Sequence, residues 1–139
     1  IEIISLPGRF WKWRMYGGAI TLAKQFENLK FNPELILATD MLNVPVFRSL
    51  INSTTPLALY FHENQITYPW SPNDPDVILE RDKHYGFINY TSALTANIIY
   101  FNSQFHFNSF FNGLEKFLIA FPDYKEMKNI INVNKLPNN

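Results

Sequence analysis

No cysteine occurs anywhere in the 139 residues. That excludes disulfides and thiolate zinc sites, and it fits a reducing compartment without requiring one. Charge is scarce too. Charged residues make up 17%, with Lys+Arg and Asp+Glu both at 12, so the formal net charge is zero. A chain-wide basic field that would gather nucleic acid is therefore missing, although Arg9, Lys12 and Arg14 leave room for a local basic patch. No stretch approaches the ~20 apolar residues of a membrane span, and no charged and then apolar leader opens the chain. The expected setting is cytoplasmic, with no membrane partner. The phosphate loops GxGxxG and GxxxxGK[ST] and the nucleophile elbow GxSxG are absent as well. So is an initiator methionine: the chain opens inside IEIISL, which reads as a strand already under way, and an amino-terminal piece of a larger protein is expected.

What the chain has in quantity is apolar bulk. Hydrophobic residues are 47% and aromatics 17%, including 13 Phe and 7 Tyr, too apolar for disorder. At this length a single domain over residues 1–139 is expected. Residues 1–6 read as a strand stopped by Pro7-Gly8. Residues 10–14, Phe-Trp-Lys-Trp-Arg, read as an aromatic-basic loop, and Gly17-Gly18 as the lead into an amphipathic helix that ends at Asn32-Pro33. Short apolar runs at 34–39 (ELILAT), 57–61 (LALYF) and 96–102 (ANIIYFN) read as buried parallel strands. Between and after them helical patterns fall near 46–51, 79–96, 103–121 and 124–132, with a stiff loop at 66–76 carrying Pro69, Pro72 and Pro75. This alternation predicts an α/β fold: a Rossmann-like parallel sheet with right-handed crossovers and helices on both faces.

In such sheets ligands bind beyond the carboxyl ends of the strands. Three predicted strands end in polar residues: Asp40, then His62-Glu63-Asn64-Gln65, then Asn102-Ser103. Asp40 reads first as a turn or cap, and Asn102-Ser103 as a helix cap, with Ser103 at the N-cap. His62 beside Glu63 is harder to reduce to structure, because an imidazole can act as acid, base or donor near neutral pH. His84 and His106 fall inside predicted helices and read as structural or exposed. The Trp-Lys-Trp-Arg stretch can stack bases and contact phosphates, or it can form a lid with snorkelling cations.

Three stretches taken together are specific: LPGRFWKWRMYGGAITLA (6–23), YFHENQITYP (60–69) and ERDKHYGFINYTSALTANIIYFNSQFHFNSFF (80–111). As a collinear set over about residues 5–122, they resemble the amino-terminal domain of the glycosyltransferase-like-domain-containing family, of which the tRNA-queuosine alpha-mannosyltransferases are the members best defined by activity. The resemblance implies a retaining GT-B glycosyltransferase built from two Rossmann-like domains around a cleft. It implies GDP-mannose as the nucleotide-sugar donor, queuosine in a tRNA anticodon as acceptor, and no cofactor or metal. It also implies that most donor contacts lie in a carboxyl-terminal domain outside these residues, that the family's first strand is missing here, and that this domain alone is inactive. Residue by residue, it implies that His62 bonds the transferred sugar and that Glu63 or Asn64 orients the sugar or the acceptor diol. Gln65, Asn102 and Ser103 join the substrate-binding set, and Trp11, Trp13 and Arg14 contact acceptor RNA. Arg81 and Asp82 are expected at a helix entry near the cleft. Asp40 is weaker by this comparison, since Ser-like residues are expected there. No general base is assigned. A non-catalytic module that binds RNA or a protein partner is the alternative.

Overall fold

The structure, a computed structural model, describes residues 1–127. The first element is α1 (Trp11–Glu27), followed by β1 (Ile36–Thr39), α2 (Val44–Leu50) and β2 (Leu57–Phe61). A single-turn α3 (Pro75–Ile78) and the longer α4 (Asp82–Thr95) lead to β3 (Ile98–Phe101), α5 (Gln104–Leu118) and α6 (Tyr124–Met127). The three strands form one sheet in the order β1-β2-β3 and both pairings are parallel, with Ile36 opposite Leu57 and Phe61 opposite Phe101. This is the parallel α/β sheet flanked by helices that the alternation predicts.

Strand side chains alternate between faces, and the burial follows that period except at the small Ala58, which is 2% exposed on the second face. Ala38, Leu57, Leu59, Phe61 and Ile99 point into the main core, where they meet Ala23 and Phe26 of α1, Phe47 of α2, Tyr90 and Ala93 of α4, and Phe110 and Leu114 of α5. α2 packs on both α1 and α4. The pattern led us to expect helices on both faces. Among the described residues the second face carries Leu37, Tyr60 and Tyr100 at 69%, 36% and 40% exposure, and the described helices gather on the first.

Three expectations at the amino terminus give way. Residues 1–6 are not a strand: they run unpaired beside α1, close enough that a Cβ on Gly18 would sit 3.0 Å from Leu6 Cδ1. Apolar alternation predicts only that a segment is extended and half-buried; a strand also needs a ladder partner, and none is present among the described residues. Residues 11–14 are not a loop but the first turn of α1, entered through Phe10 in the left-handed conformation at φ 58°. Gly17-Gly18 lies inside that helix, not before it. The expected last helix is present as α6 up to Met127, and its continuation to residue 132, like the tail VNKLPNN, lies outside the described residues.

Candidate functional site at the strand tips

Because all three strands run the same way, their carboxyl ends share one rim. Asp40, His62 and Asn102 stand there side by side, and hydrogen bonds join them across the sheet. Asp40 Oδ1 accepts the His62 N–H at 3.1 Å, and Asn102 Nδ2 donates to the His62 carbonyl at 2.8 Å. The backbone of His62 is thus held from both neighbouring strand ends. Its ring is exposed.

The next three residues are fixed as firmly. Asn64 is buried, and its Oδ1 accepts the amides of Ile66 (3.1 Å) and Thr67 (2.9 Å), closing an Asx turn. That use of the oxygen identifies its Nδ2 as the donor to His106 Nε2 at 2.8 Å. His106 Nε2 is therefore an unprotonated acceptor, and its Nδ1–H faces Asn102 Oδ1 at 3.0 Å. Burial first, then the charge of His62, holds the His106 imidazole below its ordinary value. Gln65 is buried too; its N–H donates to Asn89 Oδ1 at 2.6 Å, and its Nε2 donates to Glu63 Oε1 at 3.0 Å. Asn89 returns to the first strand tip, with Nδ2 donating to the Asp40 carbonyl at 2.8 Å.

The polar tetrapeptide thus divides by function. Asn64 and Gln65 bond the protein through their side chains, with Gln65 Oε1 left without a partner, while His62 and the half-buried Glu63 line a surface cavity of about 420 Å³ to which Asn64, Tyr68, Asn102, Ser103 and Phe105 also contribute. A second, mostly apolar groove of about 690 Å³ runs between residues 3–8, α1 and β1, and meets the first at Glu63 and Tyr68. Ser103 serves as the expected N-cap of α5, accepting the His106 N–H at 3.1 Å. Asp40 is 1% exposed, its Oδ2 lacks a hydrogen-bond partner, and burial pushes its carboxyl up to about 6, with the Glu63 charge adding to the shift.

The aromatic-basic residues do not act as one patch. Trp11 is half-buried against Trp70 and Tyr85, at ring-centroid distances of 5.8 and 5.4 Å. Lys12 Nζ binds Asp74 and Asp76, each at 2.7 Å, and sits 5.1 Å from the centre of the Trp70 ring. Arg14 Nε donates to the Arg9 carbonyl at 2.7 Å and lines the apolar groove. Trp13 is 77% exposed, much as Phe10 is at 74%, and it lines a cavity of about 560 Å³ with Tyr16, Arg81 and His84. Arg81 pairs with Asp76 at 3.1 Å just before α4, which Asp82 opens. The His84 ring meets the Tyr16 hydroxyl at 3.1 Å.

Sequence reasoning gave no weight to Asn89 or Phe105. Asn89 is fully buried in α4 and is the bond donor and acceptor that ties two strand tips together. A polar residue on the apolar face of a helix was the available signal. Phe105 is 82% exposed on the lip of the His62 cavity; nothing in a Phe-rich helix singles it out. Among the described residues no three His, Asp or Glu side chains cluster as metal ligands, and no helix is long and apolar enough to cross a membrane.

Residues 1–136 match the family model described as tRNA-queuosine alpha-mannosyltransferase N-terminal. A curated relative, the tRNA-queuosine alpha-mannosyltransferase of Drosophila melanogaster, is 35% identical over 129 residues, which cover 89% of this chain and 32% of the relative. The chain thus spans about a third of that relative's length. No solved structure matches the chain.

Proposed function

The chain belongs to the tRNA-queuosine alpha-mannosyltransferase N-terminal family, and from that premise we propose that it is the acceptor-side domain of a retaining GT-B enzyme. The reaction is transfer of mannose from GDP-mannose to queuosine in tRNA. One observation carries the reading: His62 has its backbone clamped from both sides and its ring free in a rim cavity. A fixed backbone beneath an open side chain is what a site needs to present a group at set geometry.

In this reading the His62 ring bonds a hydroxyl of the transferred mannose, and Glu63, steadied by Gln65, orients the sugar or the acceptor diol. Asn102 and Ser103 border the same cavity. The sugar–phosphate bond breaks as the acceptor oxygen attacks from the same face. The acceptor proton passes to the departing phosphate oxygen, so no protein base is required. Trp13 offers its exposed ring to an unstacked base of the tRNA, while Trp11 packs inward against Trp70 and Tyr85.

The test is transfer from GDP-mannose to queuosine-containing tRNA by the full-length protein. His62→Ala should lower turnover by ~10²-fold or more with the fold intact, since the ring is exposed and the fold's hydrogen bonds use the backbone of His62. Normal turnover in that variant defeats the role given to His62. A non-catalytic module would instead bind tRNA with no transfer in any variant.

A further inference from the structure

Asp40 is the rim residue that the proposed transfer leaves unused. It reaches both ends of the tetrapeptide 62–65. Its Oδ1 holds the His62 N–H at 3.1 Å. Its carbonyl accepts from Asn89, whose Oδ1 holds the Gln65 N–H at 2.6 Å, and Gln65 in turn holds the Glu63 carboxylate. The carboxyl is almost sealed from solvent, and Oδ2 has no well-formed hydrogen bond, although the backbone N–H groups of Asp40 and Glu63 stand near enough to favour the charged form. An orphaned buried carboxyl oxygen is costly, and more so when charged. Retaining one purely for a turn is hard to justify, because an asparagine would accept the same N–H without burying a charge.

The unpartnered oxygen has a use if it carries a proton that comes and goes. The charged group acting on Asp40 is Glu63, and the side chain that α4 brings to its backbone is the neutral Asn89. Beyond Glu63 stands His62, whose charge helps to keep the His106 imidazole neutral across the rim. We propose, resting on the sugar-transfer reading, that Asp40 is a positioning residue: it aligns His62 and Glu63 through the His62 N–H, and it gains or loses a proton on its free oxygen in step with the negative charge of Glu63 and of an anionic donor at the rim. Taking up that proton relieves the crowding of negative charge when a nucleotide sugar arrives. Releasing it strengthens the acceptor that holds His62.

Carbon-13 NMR of the Asp40 side-chain carboxyl in this chain tests the coupling directly. Its midpoint is expected near 6, and it should fall toward the ordinary carboxylate range in Glu63→Gln. A midpoint in the ordinary range, or one that ignores Glu63→Gln, overturns the proposal. In the full-length protein, Asp40→Asn should lower kcat ~10-fold with KM within ~3-fold and flatten the pH profile between 5 and 7. Unchanged kcat and an unchanged profile overturn the positioning role. If the carboxyl titrates as stated but the unmodified full-length protein transfers no sugar, the transfer reading fails while the Asp40–Glu63 coupling stands.

Discussion

Trp11 and Trp13 stand two positions apart on α1, a rotation of about 200° around the helix axis. The difference decides what each does. Trp11 packs between Trp70 and Tyr85, whereas Trp13 faces water. In sequence the two looked equivalent, because an aromatic-basic run says nothing about direction until its helix is known. Trp11→Ala is expected to cost ~2–4 kcal/mol of stability by opening a void, and Trp13→Ala to stay within ~0.5 kcal/mol; urea unfolding reads both. On the proposed function, a tRNA titration of the same variants should show weakened binding for Trp13→Ala while the fold is unchanged. The polar cluster was legible in a similar, partial way. That a strand tip would hold His62 and Glu63 follows from fold geometry, but which of the four side chains turn inward depended on Asn89 and His106, both distant in sequence.

At the scale of elements, β1, β2 and β3 were readable because short apolar runs between helices have few other structural solutions. Residues 1–6 have the same composition and no strand pairing, so composition alone was insufficient. The glycines inside helices make the same point about context. Gly113 of α5 faces the loop after the tetrapeptide, where an added Cβ would lie 2.2 Å from Thr67 Cγ2. Thr67 cannot easily yield, since its N–H is bound to Asn64 and its Oγ1 accepts from Ser109 at 2.9 Å. Gly17 of α1 meets nothing within 4 Å. Gly17→Ala should therefore stabilise by ~0.5–1 kcal/mol through helix propensity. Gly113→Ala should destabilise by ~1–3 kcal/mol despite the same gain. Paired urea midpoints that move in the same direction would contradict the close approach of α5 to the loop.

For the whole molecule, the shared rim was the most legible feature, because a parallel sheet allows no other placement of its strand ends. Least legible was the ionisation of that rim, which depends on burial that no local pattern reports. Two buried groups there pull stability in opposite directions with pH. Asp40 has its carboxyl raised from 3.8 to about 6 in the fold. The folded state then binds the proton more tightly than the unfolded chain, so this contribution is full below 3.8 and is lost as pH rises to about 6. The shift corresponds to on the order of 3 kcal/mol. His106 is held below its ordinary 6.5, by burial first and then by the charge of His62. Its contribution is full above 6.5 and is lost as pH falls through its lowered value. Asp74 and Asp76, lowered chiefly by the Lys12 contact, add a loss only below the ordinary carboxylate value. Between about pH 4 and 6.5 the Asp40 and His106 slopes oppose each other, so the parent chain should show a shallow profile. Asp40→Asn leaves the His106 slope uncovered, and stability should then rise with pH across that window. His106→Gln leaves the Asp40 slope, and stability should fall. Urea midpoints taken at half-unit pH steps for the three chains would sink this account if both variants tilt the same way.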